Sequence, residues 1–442
     1  MYRKTLLSLS IALMLPCAAQ ALSFAEAVDV LHQNSNVIKM QSYEKIYREK
    51  QSEAAKSLSG PKITASIQEI QGNKSLDLNL NLRPLVPIPV HIDKDYDISG
   101  PRASIDAIWP IYTGGAISAK QNALAYQALE AQAELDAQIQ ATDVELVKRY
   151  FGLQLARSVE NLRREVFEQT ARDYNRAKSF EKNGMGTHLE TLNAQVSRDT
   201  AKRALTEART DLSVAKLELK SLLQIEDVEK LTTPMTVFKN VGTLSAWKNL
   251  SLMQNPKIHA VDAKEVQARE GVRAAKAAYH PKVYLFGRYN FIKHYLTLPE
   301  PDWIAGLGVS FTIWDNRDRS ASLYASEAMA DKARTAGREV RRQIENAAQT
   351  TYEKLLQAQE SHRLAKSTVS LARENLRLRT KAYEEGLAKI DDVNTARNKY
   401  VGARLGEEVA AYEFVVTYAY LHAISGNMTD FTAIYSSASP KK

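Results

Sequence analysis

Four short stretches of this chain alternate between apolar and polar or small residues. Ile63, Ala65 and Ile67 alternate with Thr64, Ser66 and Gln68; Ala103, Ile105, Ala107 and Trp109 with Ser104, Asp106 and Ile108. Val283, Leu285, Tyr289 and Phe291 alternate with Tyr284, Phe286, Arg288 and Asn290; Trp303, Ala305, Leu307, Val309, Phe311 and Ile313 with Ile304, Gly306, Gly308, Ser310 and Thr312. Period two predicts β-strands, and about 9–11 residues is the length of a strand crossing a bilayer. The intervening segments 71–100 and 292–301 are predicted to be loops, the first stiffened by Pro84, Pro87 and Pro89.

Two much longer windows have helical spacing. No proline lies between Pro110 and Pro234, or between Pro301 and Pro440. Both windows are rich in Ala, Gln, Glu, Leu, Lys and Arg, the strongest helix formers. Leu135, Ile139, Leu146, Tyr150 and Leu153 step by three, four or seven, as do Leu364, Leu371 and Leu378, the spacing of helices packed as coiled coils. Asn183-Gly184-Met185-Gly186 and Glu385-Gly386 interrupt the windows, so each is predicted to be a helical hairpin. An arm from Ser118 to Lys182 would be roughly 100 Å long.

The chain also repeats. An offset of 202 places Tyr150 on Tyr352, Gly184 on Gly386 and Leu219 on Leu421; upstream an offset of 220 places Pro61-Lys62-Ile63 on Pro281-Lys282-Val283. The expected organisation is a leader over 1–21, a first repeat over 22–223, a linker over 224–243, a second repeat over 244–430 and a tail over 431–442. Each repeat holds a helix, two strands and a long hairpin.

Residues 1–21 have the form of a secretory signal peptide: Arg3-Lys4, an apolar run from Leu6 to Leu15, and Ala19-Gln20-Ala21. Pro16 fits lipidation of Cys17 poorly. Cys17 is the single cysteine among 442 residues, so no thiolate metal site or disulfide framework is expected. The net charge of +8 is spread along the chain, which argues against nucleic acid. The eight histidines lack close metal-ligand spacing, and neither a nucleophile elbow nor a dinucleotide fingerprint occurs. No cofactor, metal or enzymatic activity is expected.

After the leader no apolar run is long enough for a transmembrane helix, so entry into a membrane requires a closed barrel. Four strands cannot close one, since membrane barrels start at about eight. If these strands span lipid, several copies of the chain share the barrel. Trp109, Trp303 and Trp314, near strand ends, would form an interfacial aromatic girdle against membrane lipid.

The chain resembles the TolC family of outer-membrane efflux and secretion proteins. The resemblance rests on Leu22-Ser23-Phe24-Ala25-Glu26-Ala27, on Trp109-Pro110-Ile111-Tyr112-Thr113-Gly114-Gly115, and on Tyr383-Glu384-Glu385-Gly386 followed by Ile390-Asp391-Asp392-Val393. It implies an α+β membrane protein in the cell outer membrane. It further implies a homotrimer with a shared 12-stranded transmembrane β-barrel, four strands per chain, and a long α-helical coiled-coil tunnel through the periplasm. Such a protein is the passive exit duct of a tripartite efflux pump or type I secretion system, joined to a periplasmic adaptor and an inner-membrane pump or ABC exporter. Asp392 matches an aspartate of the family's acidic entrance ring, with Asp391 beside it; Tyr383 matches a tyrosine of the closing network. The family's second aspartate falls on Thr395 and its closing arginine on Ala388, next to Lys389. Asn183, Gly184, Met185, Gly186 and Thr187, with Gly386, Leu387 and Ala388, would be the tips that meet the adaptor. The alternative from residue patterns is a periplasmic adaptor or structural coiled-coil protein of a transport complex.

Overall fold

A computed structural model of the chain describes residues 21–80, 90–97, 99–228, 230–292, 301–385 and 387–437. The expected leader up to residue 20, Pro84, Pro87, Pro89, most of 292–301, Gly386 and the end of the tail lie outside the described residues. In chain order the elements are β1 (Ala21–Leu22), α1 (Phe24–Asn34), α2 (Asn36–Ala55), β2 (Lys62–Ile70), β3 (Asn73–Leu80), β4 (Val90–Asp97) and β5 (Gly100–Tyr112). Next come α3 (Ala116–Lys182), α4 (His188–Leu223), β6 (Lys230–Leu231), α5 (Leu244–Gln254) and α6 (Pro256–Lys276). The last are β7 (Lys282–Asn290), β8 (Trp303–Ser310), α7 (Arg319–Glu384), α8 (Ile390–Ile424) and α9 (Met428–Ser437).

The elements recur at the two offsets found in the sequence. Helix α1 and strand β2 return as α5 and β7, 220 positions on; α4 returns as α8, 202 positions on. Local chemistry sets the helix starts. Ser23 caps α1 in a capping box with Glu26, Thr187 caps α4 with Glu190, and Thr243 caps α5. Helices α3 and α7, of 67 and 66 residues, are roughly 100 Å long. Among the described residues no helix is long and apolar enough to cross a membrane.

The chain divides into two compact units. The first comprises residues 1–42, 134–258 and 341–442 and holds the hydrophobic core. Phe24, Leu146, Tyr150, Phe151, Leu219, Phe414, Leu421, Phe431 and Tyr435 are fully buried there. The rings meet edge-on or tilted, as π quadrupoles favour: Phe24 lies 5.4 Å from Tyr150 and 5.7 Å from Phe431. The buried Tyr150 hydroxyl donates to Leu22 O (2.8 Å) and accepts from Thr233 N (3.2 Å), where β1 and β6 pair. Its repeat partner Tyr352 donates to Gly242 O, so both copies pin the segment that joins them. Leu364, Leu371 and Leu378 differ from expectation, because they are exposed in the single chain. The inward side of α7 is instead formed by Leu355, Ala358 and Val369.

The second unit, residues 43–133 and 259–340, holds a four-stranded antiparallel sheet of order β2-β5-β7-β8. Strand β8 ends at Ser310, short of the expected Ile313, so Phe311 and Ile313 lie beyond it. The expected loop over 71–100 is corrected by the structure. It is largely a second antiparallel hairpin, β3 with β4, in register from Asn73 opposite Asp97 to Leu80 opposite Val90. The additional residues of the first copy give this segment length enough to pair with itself, and its three prolines fall between the two strands.

His422 sits in the core of the first unit, edge-on to Trp247, Tyr418 and Phe431. Its Nδ1 donates to Asn427 O at 3.0 Å. Burial pushes its pKa down to about 4. The neutral ring therefore contributes stability above the unfolded value near 6.5, and that stability is lost as pH falls from there towards 4. The linked energy is about 3 kcal/mol. Thermal unfolding of the wild type should lose this increment between pH 6.5 and 4, whereas His422→Phe should lack that component of the acid slope.

Candidate functional site

The sheet of the second unit separates its residues by chemistry. Following the register across all four strands, one face carries Ile63, Ala65 and Ile67, then Ala103, Ile105, Ala107 and Trp109. It continues with Val283, Leu285, Gly287 and Tyr289, and ends with Trp303, Ala305, Leu307 and Val309. The one charged strand residue on this face is Glu69, opposite Pro101 at the end of β2. The opposite face carries Ser66, Gln68, Arg102, Ser104, Asp106, Arg288 and Asn290 around a polar cleft of about 260 Å³. There Arg288 Nε donates to Asp106 Oδ1 at 2.6 Å, and Ser104 donates to Asp106 Oδ2 at 3.0 Å. Further along this face the chain narrows its own side chains. A Cβ at Gly308 would stand 2.5 Å from the Tyr284 ring, and one at Gly306 3.0 Å from that of Phe286, so both rings lie against bare backbone.

Trp109 and Trp303 lie on the apolar face at opposite ends of the sheet, with Trp109 opposite Leu285 and Trp303 opposite Tyr289. The Trp109 indole N–H donates to Ser59 O at 2.9 Å. Trp314 lies beyond β8 and is 84% exposed. Tyr289 and Phe291 add a ring pair 5.2 Å apart near Trp303, an aromatic contribution that the tryptophans alone did not signal. Among the described residues strands β2 and β8 each have one neighbour, so the sheet is open along both edges.

In the first unit the two helix reversals share one construction. Met185 N donates to Phe180 O (2.9 Å) and Gly184 N to Glu181 O (3.0 Å), the two bonds of a Schellman motif. Gly184 has φ +71°, which a side chain would strain. Leu387 N donates to Ala382 O (2.8 Å), the equivalent bond 202 positions on. Gly386, at the matching turn, lies outside the described residues. Asn183 donates back to Ser179 and Phe180, and Gly186 packs its backbone close to Phe180. Met185 and Leu387 project from the two turns, and Ala388 is half-buried.

Thr187 opens α4 with its hydroxyl on Glu190 N, and Glu190 returns a bond from Thr187 N (3.0 Å). At the second turn Lys389 stands where Thr187 does and Asp392 where Glu190 does. The Asp392 carboxylate accepts from Lys389 N at 3.2 Å. Asp391 and Asp392 both lie in the first turn of α8, where the helix dipole favours negative charge.

Tyr383 is half-buried near the end of α7, and burial raises its pKa, with Arg176, Glu190 and Asp173 as the charges that act on it. Beside this group lies an ion pair that sequence spacing did not reveal. Arg397 Nη2 meets Asp173 Oδ2 at 2.7 Å with both side chains largely buried, and Arg397 Nη1 donates to Asn394 (2.9 Å). The partners are 224 residues apart, so the pair ties the first hairpin to the second. Asn394 and Arg397, three apart on α8, were the available signal. Among the described residues no group of acidic, histidine or cysteine side chains could hold a metal ion.

The family described as "Outer membrane efflux protein" matches residues 29–223 and 247–427, one segment per repeat. The chain is 29% identical over 210 residues to the alkaline protease secretion protein AprF of Pseudomonas aeruginosa, over 44% of this chain and 41% of that one. The match thus spans less than half of that relative. In fold, the chain is similar to the outer membrane protein VceC of Vibrio cholerae, with TM-score 0.74, 15% identity, 91% of this chain and 96% of that one. It is also similar to the Campylobacter jejuni CmeC outer membrane channel, with TM-score 0.74, 14% identity and 94% and 90% coverage.

Arg397→Ala should leave the Asp173 carboxylate buried without its cation, costing roughly 3 kcal/mol. Thermal unfolding should show this as a lower midpoint, and Arg397→Lys should recover part of it.

Proposed function

The chain belongs to the outer membrane efflux protein family, and from that membership we propose that it is the exit duct of a tripartite efflux or type I secretion system. The family and the fold are those of passive outer-membrane channels with a periplasmic extension, not of enzymes. In the proposed duct three copies share one 12-stranded barrel, four strands from each. The observation that carries this reading is the open sheet, with one face apolar from Ile63–Ile67 across to Val309, a polar cleft on the opposite face and two edges unpaired among the described residues. Lipid satisfies no backbone group, so such edges must be covered by strands of other copies. Trp109, Trp303 and Trp314 then anchor the barrel at the lipid interfaces.

In this duct the hairpin tips face the periplasmic adaptor, to which Met185 and Leu387 offer apolar contacts, and the adaptor brings the inner-membrane pump or ABC exporter. Secretion of polypeptides is included because the relative from Pseudomonas aeruginosa is named as a protease secretion protein. Tyr383, Lys389, Asp391 and Asp392 line the periplasmic entrance. Arg397 supplies the closing cation from further along α8, in place of the arginine that Ala388 lacks, and Asp173 is its anchor.

The test is purification in detergent followed by planar-bilayer recording. Expected are a trimeric mass and stable, cation-preferring conductance. Asp392→Asn should weaken the cation preference, since three carboxylates around a narrow axis favour cations. A monomer that conducts no ions overturns the duct. Conductance with unchanged selectivity removes Asp392 from the entrance. Bulky substitutions at Gly184 and Gly386 should preserve the trimer but abolish export in cells; continued export would remove the tips from docking.

A further inference from the structure

The sheet face that holds the polar cleft changes character along the strands. Away from the helices its rows are Gln68 with Arg102, Ser66 with Ser104 and Asn290, and Thr64 with Asp106, Arg288 and Ile304. Nearest the helices they are Lys62 with Ile108, Phe286 and Gly306, and then Pro110 with Tyr284 and Gly308. Two aromatic rings therefore stand on the face that would line a shared barrel, each directly opposite a glycine.

Neither glycine is needed for its backbone, since both lie in the extended strand β8 and outside the left-handed region. Glycine inside a strand weakens the sheet, so the pair points to a close approach. The approach is made by the ring tips. A Cβ at Gly308 would stand 2.5 Å from Tyr284 Cζ and 2.9 Å from its hydroxyl, and one at Gly306 would stand 3.0 Å from Phe286 Cζ. A ring whose far end touches the neighbouring strand is laid sideways along the wall instead of pointing away from it.

The repeat supplies an independent comparison. Offsets of 220 and 202 carry Tyr284 and Gly308 back to Thr64 and Asp106, and Phe286 and Gly306 back to Ser66 and Ser104. Those residues face each other in the same register of the first copy's strand pair. The first copy keeps its wall low with two short polar side chains in each pair. The second does so with one large ring and no side chain opposite. Resting on the shared-barrel reading above, we propose that Gly306 and Gly308 set the width of the duct at the helix-proximal end of the barrel, by receiving the Tyr284 and Phe286 rings flat against its wall. A side chain at either glycine displaces a ring tip towards the lumen, at small cost to the fold because the ring can swing. The clearance matters most to bulky cargo, such as an extended polypeptide, and least to small ions.

The test is planar-bilayer recording of the full-length protein with polyethylene glycols of graded size added on the barrel side only. Polymers that enter the barrel lower the current. The size at which they cease to do so reads the barrel alone, because the periplasmic entrance lies in series beyond it. Gly306→Ala with Gly308→Ala should shift that cut-off to smaller polymers while the trimer mass stays that of the wild type. Adding Tyr284→Ala and Phe286→Ala to the same chain should return it. Tyr284→Ala with Phe286→Ala alone should leave the cut-off near the wild-type size, since rings on the wall take up little of the lumen. Three results each overturn the proposal: an unchanged cut-off in the glycine variant, a trimer lost on glycine substitution and not regained on ring removal, or a marked widening when the rings alone are removed. Wild-type material that passes no current overturns the shared barrel, and this inference with it.

Discussion

Backbone hydrogen bonding at two strand edges is the constraint from which most of this molecule follows. Among the described residues strands β2 and β8 pair on one side only, and they border a largely apolar face whose single strand charge, Glu69, lies at the end of β2. In water such edges would be tolerated, blunted by charged side chains or covered by a helix. Next to lipid each unpaired N–H or C=O costs several kcal/mol, and an edge carries a row of them. The apolar face asks for lipid while the edges forbid it to a single copy. The barrel proposed above, shared among copies, would satisfy both demands.

The helices answer a different problem. A helix of roughly 100 Å cannot bury its length in one globular core, and the buried residues show where burial is concentrated. The core of the first unit draws on α1, α3, α4, α7, α8 and α9 and on the segment between the repeats. Elsewhere on α7, large side chains such as Leu364, Leu371 and Leu378 remain exposed. Stability is therefore uneven along the chain, high at the core around Tyr150 and Phe431 and low at the reversals, where capping boxes and Schellman bonds hold the turns. An element that must move can be drawn from the second kind without disturbing the first.

Much of this was legible in the sequence because the signals were local. Period-two alternation marked β2, β5, β7 and β8, and the lack of proline together with two glycine interruptions marked the hairpins. The hairpin over 71–100 was missed because its prolines and aspartates read as loop, although the prolines fall only between the strands. The heptad leucines of α7 signalled packing, yet in the single chain they are exposed, because spacing marks a stripe on a helix and not what covers it. For the Arg397–Asp173 pair the local signal was confined to Asn394 and Arg397 on α8, because 224 residues separate Arg397 from Asp173. Register was equally silent, since Asp106 and Arg288 face each other across strands 182 residues apart in the chain.

Duplication explains why so few kinds of contact suffice. Where the two halves have equivalent tasks, equivalent bonds recur: Phe180 to Met185 and Ala382 to Leu387 close the turns, and the carboxylates of Glu190 and Asp392 accept the first backbone donors of α4 and α8. Where tasks differ, the copies diverge. Among the described residues only the first has the β3–β4 hairpin and only the second is followed by α9, and Thr187 of the first turn is Lys389 in the second. The substitution of a cation for a neutral cap costs the second turn its hydroxyl acceptor, which leaves Asp392 as the group that satisfies that helix start. A carboxylate already held by one backbone N–H keeps a fixed position, and a fixed charge is what a narrow opening needs if it is to select among ions.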